Sequence, residues 1–129
     1  MKIHTLAVVL FASATFAACS SMKTSPAMVS DGVLTGSGGM TLYVFDKDVA
    51  GSGKSVCNGP CASNWPPLIA SDFAMDSDSA SGDYTLIVRD DGKKQWALKG
   101  KPLYYWAKDV NRGDKTGDGV NNVWHVVKP

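Results

Sequence analysis

The sequence predicts a small, mainly β domain made of two sequence-related halves, closed as a sandwich or barrel-like body with long loops and little helix. Three observations carry this reading. First, Gly39-Met40-Thr41-Leu42-Tyr43-Val44-Phe45-Asp46-Lys47-Asp48 and Gly100-Lys101-Pro102-Leu103-Tyr104-Tyr105-Trp106-Ala107-Lys108-Asp109 repeat Gly, Leu, Tyr, an aromatic and Asp in the same order, 61 residues apart, and Trp65 and Trp124 continue the match at 59. A duplicated unit of this kind buries its apolar face against its copy. Second, all 12 acidic side chains are Asp and 13 residues are Gly, a mixture that favours turns and caps over long helices. Third, the β-branched and aromatic runs are short and bounded by Gly or Asp, as strands are.

From the start of the chain, Lys2 and His4 precede an apolar run over 6–11, and Ala17-Ala18 then lead to Cys19. This is the layout of an export signal over 1–18, and small residues before a Cys resemble a lipobox, in which Cys19 is acylated; Phe16 stands where Leu is typical. Membrane attachment then rests on lipid, since no later run approaches the ~20 apolar residues of a spanning helix. With 18 of the 129 residues removed, 111 remain, carrying 12 basic and 12 acidic side chains. That length suits one small domain, and the near-zero balance argues against nucleic acid as a partner.

Residues 19–30 are small, polar and Pro-containing, as in a flexible tether, and the domain is expected over 31–129, with repeats near 31–69 and 84–128. Strands are expected at 32–35, 40–45, 84–89, 95–98, 103–107 and 123–127. Asp90-Asp91-Gly92 and Lys99-Gly100 supply hairpin turns, and 61–64 a single helical turn ending before Pro66-Pro67. The Ser- and Asp-rich stretch 70–83 reads as a long surface connection.

Alternation along the motif puts Tyr43 and Phe45 on one face and Leu42 and Val44 on the other, and Tyr104 and Trp106 repeat this. Such aromatics pack a core; an aromatic cleft for a flat or sugar-like ligand would need them exposed, with Trp65, Trp96 and Trp124 adding surface. Asp48 and Asp109 suit turn caps; a catalytic carboxylate pair would need both in one cleft.

Cys57-Asn58-Gly59-Pro60-Cys61 is the sharpest chemical feature, because an exported chain meets an oxidising compartment and Cys19 is assigned to lipid, leaving an even pair. A Cys57–Cys61 disulfide is expected as a local staple; the spacing is not the C-x-x-C of thioredoxin-like sites. Redox or metal chemistry at the pair, with His125, is the alternative, although metal or haem would need further ligands. Asp114-Lys115-Thr116-Gly117-Asp118-Gly119 imitates the start of a calcium loop, but the position of the closing acid holds His125. No nucleophile, phosphate-loop or metalloprotease pattern appears, and no cofactor or metal is expected.

Taken together, Tyr43-x-Phe45-x-x-Asp48, Cys57-x-x-x-Cys61-Ala62-x-x-Trp65-Pro66-Pro67-Leu68, Gly100-Lys101-Pro102-Leu103-Tyr104-Tyr105-Trp106-x-x-Asp109 and Gly119-Val120-x-x-Val123-Trp124 resemble the predicted bacterial lipoproteins with the Yx(FWY)xxD motif, the secreted repeat of unknown function. The resemblance spans about 31–128 and implies an exported, usually lipid-anchored, two-repeat domain of undefined role; it implies no catalytic residues. The expectation is therefore a non-enzymatic binding or scaffold protein of the cell envelope, lipid-anchored and facing the periplasm. Ser20 lacks the Asp of inner-membrane retention, which favours the outer membrane. The alternative is a periplasmic redox or metal-handling protein using Cys57 and Cys61.

Overall fold

Every described strand is short, and one ladder and several bridges tie the two repeats together. The computed structural model describes residues 10–15, 25–70 and 83–129. In chain order these form β1 (Met28–Ser30), β2 (Val33–Thr35), β3 (Tyr43–Phe45), the helical turn α1 (Pro60–Asn64), β4 (Tyr84–Val88), β5 (Lys94–Leu98), β6 (Lys101–Pro102) and β7 (Trp124–Val126). β1 pairs with β2, β3 with β7, and β4-β5-β6 form a three-stranded sheet, all antiparallel. Isolated bridges at Thr35 with Thr41, Tyr43 with Tyr104, Pro67 with Tyr104 and Ile69 with Gln95 link these sheets. The body is mainly β, and among the described residues no barrel closes.

The turn chemistry acts as expected at Lys99-Gly100, where φ values of 50° and 80° make the tight turn between β5 and β6. Asp31-Gly32, with φ of 50° and 76°, does the same between β1 and β2. Two consecutive residues at positive φ match the twist of a hairpin, and Asp-Gly tolerates them. The expected tether over 19–30 overlaps the first hairpin, since residues 28–30 form β1, and residues 19–24 lie outside the described residues. Polarity and Pro26 obscured this strand, but Asp31-Gly32 was the available signal. Cys19, most of the export segment and nearly all of the 70–83 connection lie outside the described residues.

The expected strand over 103–107 is a second departure. Its partner is 64–67, and Pro66 and Pro67 have no N–H to donate. The contact is therefore held by Tyr105 N–H to Pro66 O at 2.7 Å and Ala107 N–H to Asn64 O at 2.9 Å, without a full ladder. The equivalent contact in the other copy, where His125 and Val126 replace the prolines, is the β3–β7 ladder.

Alternation along the two motifs separates two cores. Leu42 and Leu103 join Leu34, Leu68, Trp96 and Val127 in an aliphatic cluster. Tyr43, Phe45, Tyr104, Trp65, Trp124 and Cys57 form an aromatic one on the opposite face.

Candidate functional site

The two motifs meet at their tyrosines. Tyr43 N–H donates to Tyr104 O at 2.8 Å and Tyr104 N–H to Tyr43 O at 3.0 Å, so the residues lie directly opposite and their side chains leave from one face. Both are fully buried. Each hydroxyl then crosses to the other repeat: Tyr43 donates to Asp109 Oδ2 and Tyr104 to Asp48 Oδ2, both at 2.6 Å. These are short bonds of the charge-assisted type. The remaining oxygens are also engaged, Asp48 Oδ1 by Val56 N–H at 2.8 Å and Asp109 Oδ1 by Thr116 N–H at 3.0 Å and its hydroxyl at 2.6 Å. Burial, and next the aspartate that each hydroxyl faces, push both tyrosines well above the ordinary value of 10.0.

The two crossed pairs differ in what completes them. Tyr43 Oη accepts from Gly117 N–H at 3.2 Å. Tyr104 Oη instead meets Ser55 Oγ at 2.6 Å, and Ser55 is the end of a buried network around Arg89. The guanidinium donates to Ser55 Oγ at 3.1 Å, Gln95 Oε1 at 2.7 Å, Cys57 O at 2.7 Å and Asn58 Oδ1 at 3.3 Å, while Gln95 Nε2 donates to Leu103 O at 2.8 Å. A buried cation is tolerable only with such a set of acceptors. The sequence reading missed Arg89, Ser55 and Gln95. A signal existed for Arg89, since strand parity places it on the face of buried Ile87.

The motif aromatics form one stack drawn from both repeats. Phe45 lies on Trp124 at 4.2 Å, Trp124 on Trp65 at 3.8 Å and Trp65 on Trp106 at 3.9 Å. Tyr43 meets Trp65 edge-on at 5.4 Å and Tyr104 meets Trp124 at 5.2 Å. The rings of Phe45, Trp65 and Trp124 are thus covered by other rings and Trp106 at the end of the stack is half-buried, with Lys108 Nζ 5.6 Å from its centroid, while Trp96 lies apart in the aliphatic cluster.

The disulfide forms as expected between Cys57 and Cys61, with Cα atoms 5.2 Å apart. Cys57 is wholly buried beside the aromatic rings. His125 projects from β7 and places Nε2 2.7 Å from Asp46 Oδ2, both side chains nearly half exposed. In the loop that imitates a calcium site, Asp114 Oδ2 accepts from Val110 and Asn111 N–H and Asp118 Oδ1 from Val126 N–H. The Asn111 and Val110 bonds hold the Asp114 carboxyl below its usual range. Among the described residues no three His, Cys, Asp or Glu gather as a metal site.

A separate opening lies against the aliphatic cluster, a groove of about 610 Å³ bordered by β1, the turn Ser37–Gly39, Leu68, Ile69, Trp96 and Arg112.

The family described as a secreted repeat of unknown function matches residues 26–69 and again 85–128. The first match takes in β1. No curated protein and no solved structure matches the chain.

Proposed function

The chain belongs to this family of secreted repeats and is an exported protein, and from that premise we propose that it is a lipid-anchored, non-enzymatic protein of the cell envelope that binds or scaffolds a partner at its surface. The lipid sits on Cys19, behind Ala17-Ala18, and Ser20 favours the periplasmic face of the outer membrane over retention at the inner one. One observation carries the non-enzymatic reading: Tyr43, Tyr104, Asp48 and Asp109, the repeated acid–base groups of the motif, face each other in buried crossed pairs with both oxygens of each carboxylate engaged. Groups committed in this way join the halves of the fold. Burial of Cys57 likewise supports a disulfide that staples the loop entering α1.

Metabolic labelling with an alkyne fatty acid, followed by density-gradient separation of membranes, tests the anchor and its place. Label on the wild type in outer-membrane fractions, absent from Cys19→Ala, is the expected result. Unlabelled protein in the soluble periplasmic fraction would remove the anchor from the proposal. Photo-crosslinking in intact cells from the exposed loop position Val110 tests partner binding.

A further inference from the structure

The groove has a chemistry of its own. Met28, Val29, Leu68, Ile69 and Trp96 give it an apolar stretch beside serine and threonine hydroxyls, and among the described residues Arg112 is the one charge on its lining. Arg112 lies against Gly39, where a Cβ would come within 2.5 Å of Nε and 2.9 Å of Nη2. It makes no hydrogen bond or ion pair to any described residue. A cation beside an apolar stretch is complementary to a ligand with an apolar body and an anionic group.

The strand β1 also lines the groove, through Met28, Val29 and Ser30. Among the described residues β1 pairs only with β2, in the register Met28 with Thr35, Val29 with Leu34 and Ser30 with Val33. Across the two-residue turn Ser30 and Val33 form a bonded pair, as do Met28 and Thr35, so the N–H and C=O of Val29 point away from β2. Leu34, opposite Val29, shows the same parity: its N–H goes to Val127 O at 2.8 Å and its C=O accepts from Leu42 N–H at 3.0 Å, both outside the hairpin. At three residues β1 is short, but it carries no charge and no proline, two of the guards against strand addition, and Met28 and Val29 are 74% and 57% exposed.

We propose that this groove takes an extended apolar peptide segment that adds to the edge of β1 through the Val29 peptide unit and sets a carboxylate, at or near its C-terminus, on Arg112. Strand addition of this kind gives affinity through main-chain bonds and selectivity through alternate side chains. The proposal rests on the binding reading above and names the partner's chemistry. An anionic lipid would use Arg112 and the apolar wall but leave the Val29 peptide unit idle, which is why the peptide is preferred.

The test uses the folded exported protein and a mixed library of fluorescein-labelled hexapeptides with Val, Ile, Leu or Phe at alternate positions, made with free and with amidated C-termini. The free-acid library should bind at least tenfold more tightly than the amide, and the Val29 amide should gain protection from hydrogen exchange. Arg112→Gln and, separately, Val29→Pro should each weaken binding tenfold or more without lowering Tm, since the Val29 N–H takes no part in the hairpin. Lys115→Gln, outside the groove, serves as the control that should change nothing. Equal binding of acid and amide, or no protection at Val29, would overturn the proposal, as would Arg112-dependent binding of phosphatidylglycerol vesicles without peptide binding. If Arg112→Gln still crosslinks its partner in cells as the wild type does, the groove assignment fails while the binding reading stands; loss of crosslinking in the wild type itself would sink that reading instead.

Discussion

The hydroxyls of Tyr43 and Tyr104 are where the two repeats become chemically dependent on each other. Removing either leaves a buried carboxylate oxygen without its donor, a loss of about 1–3 kcal/mol. The two losses should be unequal. Asp109 keeps two bonds from Thr116 when Tyr43 becomes Phe, whereas Asp48 keeps only the one from Val56 when Tyr104 becomes Phe. Urea denaturation should therefore rank Tyr104→Phe below Tyr43→Phe, and the reverse order would mean that the Arg89 network compensates for the missing hydroxyl. The same tyrosines set an alkaline limit. Unfolded, each releases its proton near the ordinary 10.0, while the folded values lie higher. Above pH 10 the unfolded state thus binds fewer protons than the folded one, so this contribution is complete below pH 10 and is lost as pH rises. The urea midpoint should fall steeply between pH 10 and 11, and less steeply in the Tyr43→Phe, Tyr104→Phe double variant. The repeat made Tyr43, Asp48, Tyr104 and Asp109 legible as a set. Which Asp answers which Tyr was not, because both copies present the same chemistry and only the chain path distinguishes them.

At the scale of elements, the loop after the second motif is shaped by what it must cover. A Cβ on Gly117 would lie 2.9 Å from Trp106 Cγ and 2.9 Å from Trp65 Cη2, and Trp65 is held between Trp106 and Trp124. A ring stacked on both faces has nowhere to shift, so Gly117→Ala should cost on the order of 1–3 kcal/mol by overpacking, with loss of near-UV circular dichroism from the tryptophans. Gly119→Ala is the contrast: it meets open space, but at φ of 81°, and should cost about 1 kcal/mol with the aromatic signal intact. Thermal melts followed at both wavelengths separate the two causes. Turns were the most legible elements, since Asp90-Asp91-Gly92 and Lys99-Gly100 name their own backbone angles. The irregular contact of 103–107 was less so: strand propensity lies in that segment, but the missing donors lie in its partner, Pro66 and Pro67, more than 35 residues away.

The whole molecule is more entangled than two halves laid face to face. β3, from the first repeat, pairs with β7, from the second, while 104–107 of the second repeat lies along 64–67 of the first. Leu42 and Val127, and in the other copy Leu103 and Leu68, join the same crossing on the aliphatic side: Val127 N–H donates to Leu42 O at 3.3 Å and Leu68 N–H to Leu103 O at 2.9 Å. Each repeat thus supplies the closing segment of the other, and both clusters draw on both repeats. Neither half has a core to bury alone, and with roughly 40–50 residues each falls in the range where one core is marginal even when complete. A protease site placed between residues 70 and 83 should therefore give a nicked protein whose halves stay together on gel filtration and melt in one transition, at a midpoint that depends on protein concentration. Each half expressed singly should show the circular dichroism of an unfolded chain, and mixing the two should restore the tryptophan signal. Independent folding of either half would show that the crossed pairs of Tyr43 with Asp109 and Tyr104 with Asp48 decorate two self-sufficient units, and that the repeat's shared motif serves something other than holding the fold together.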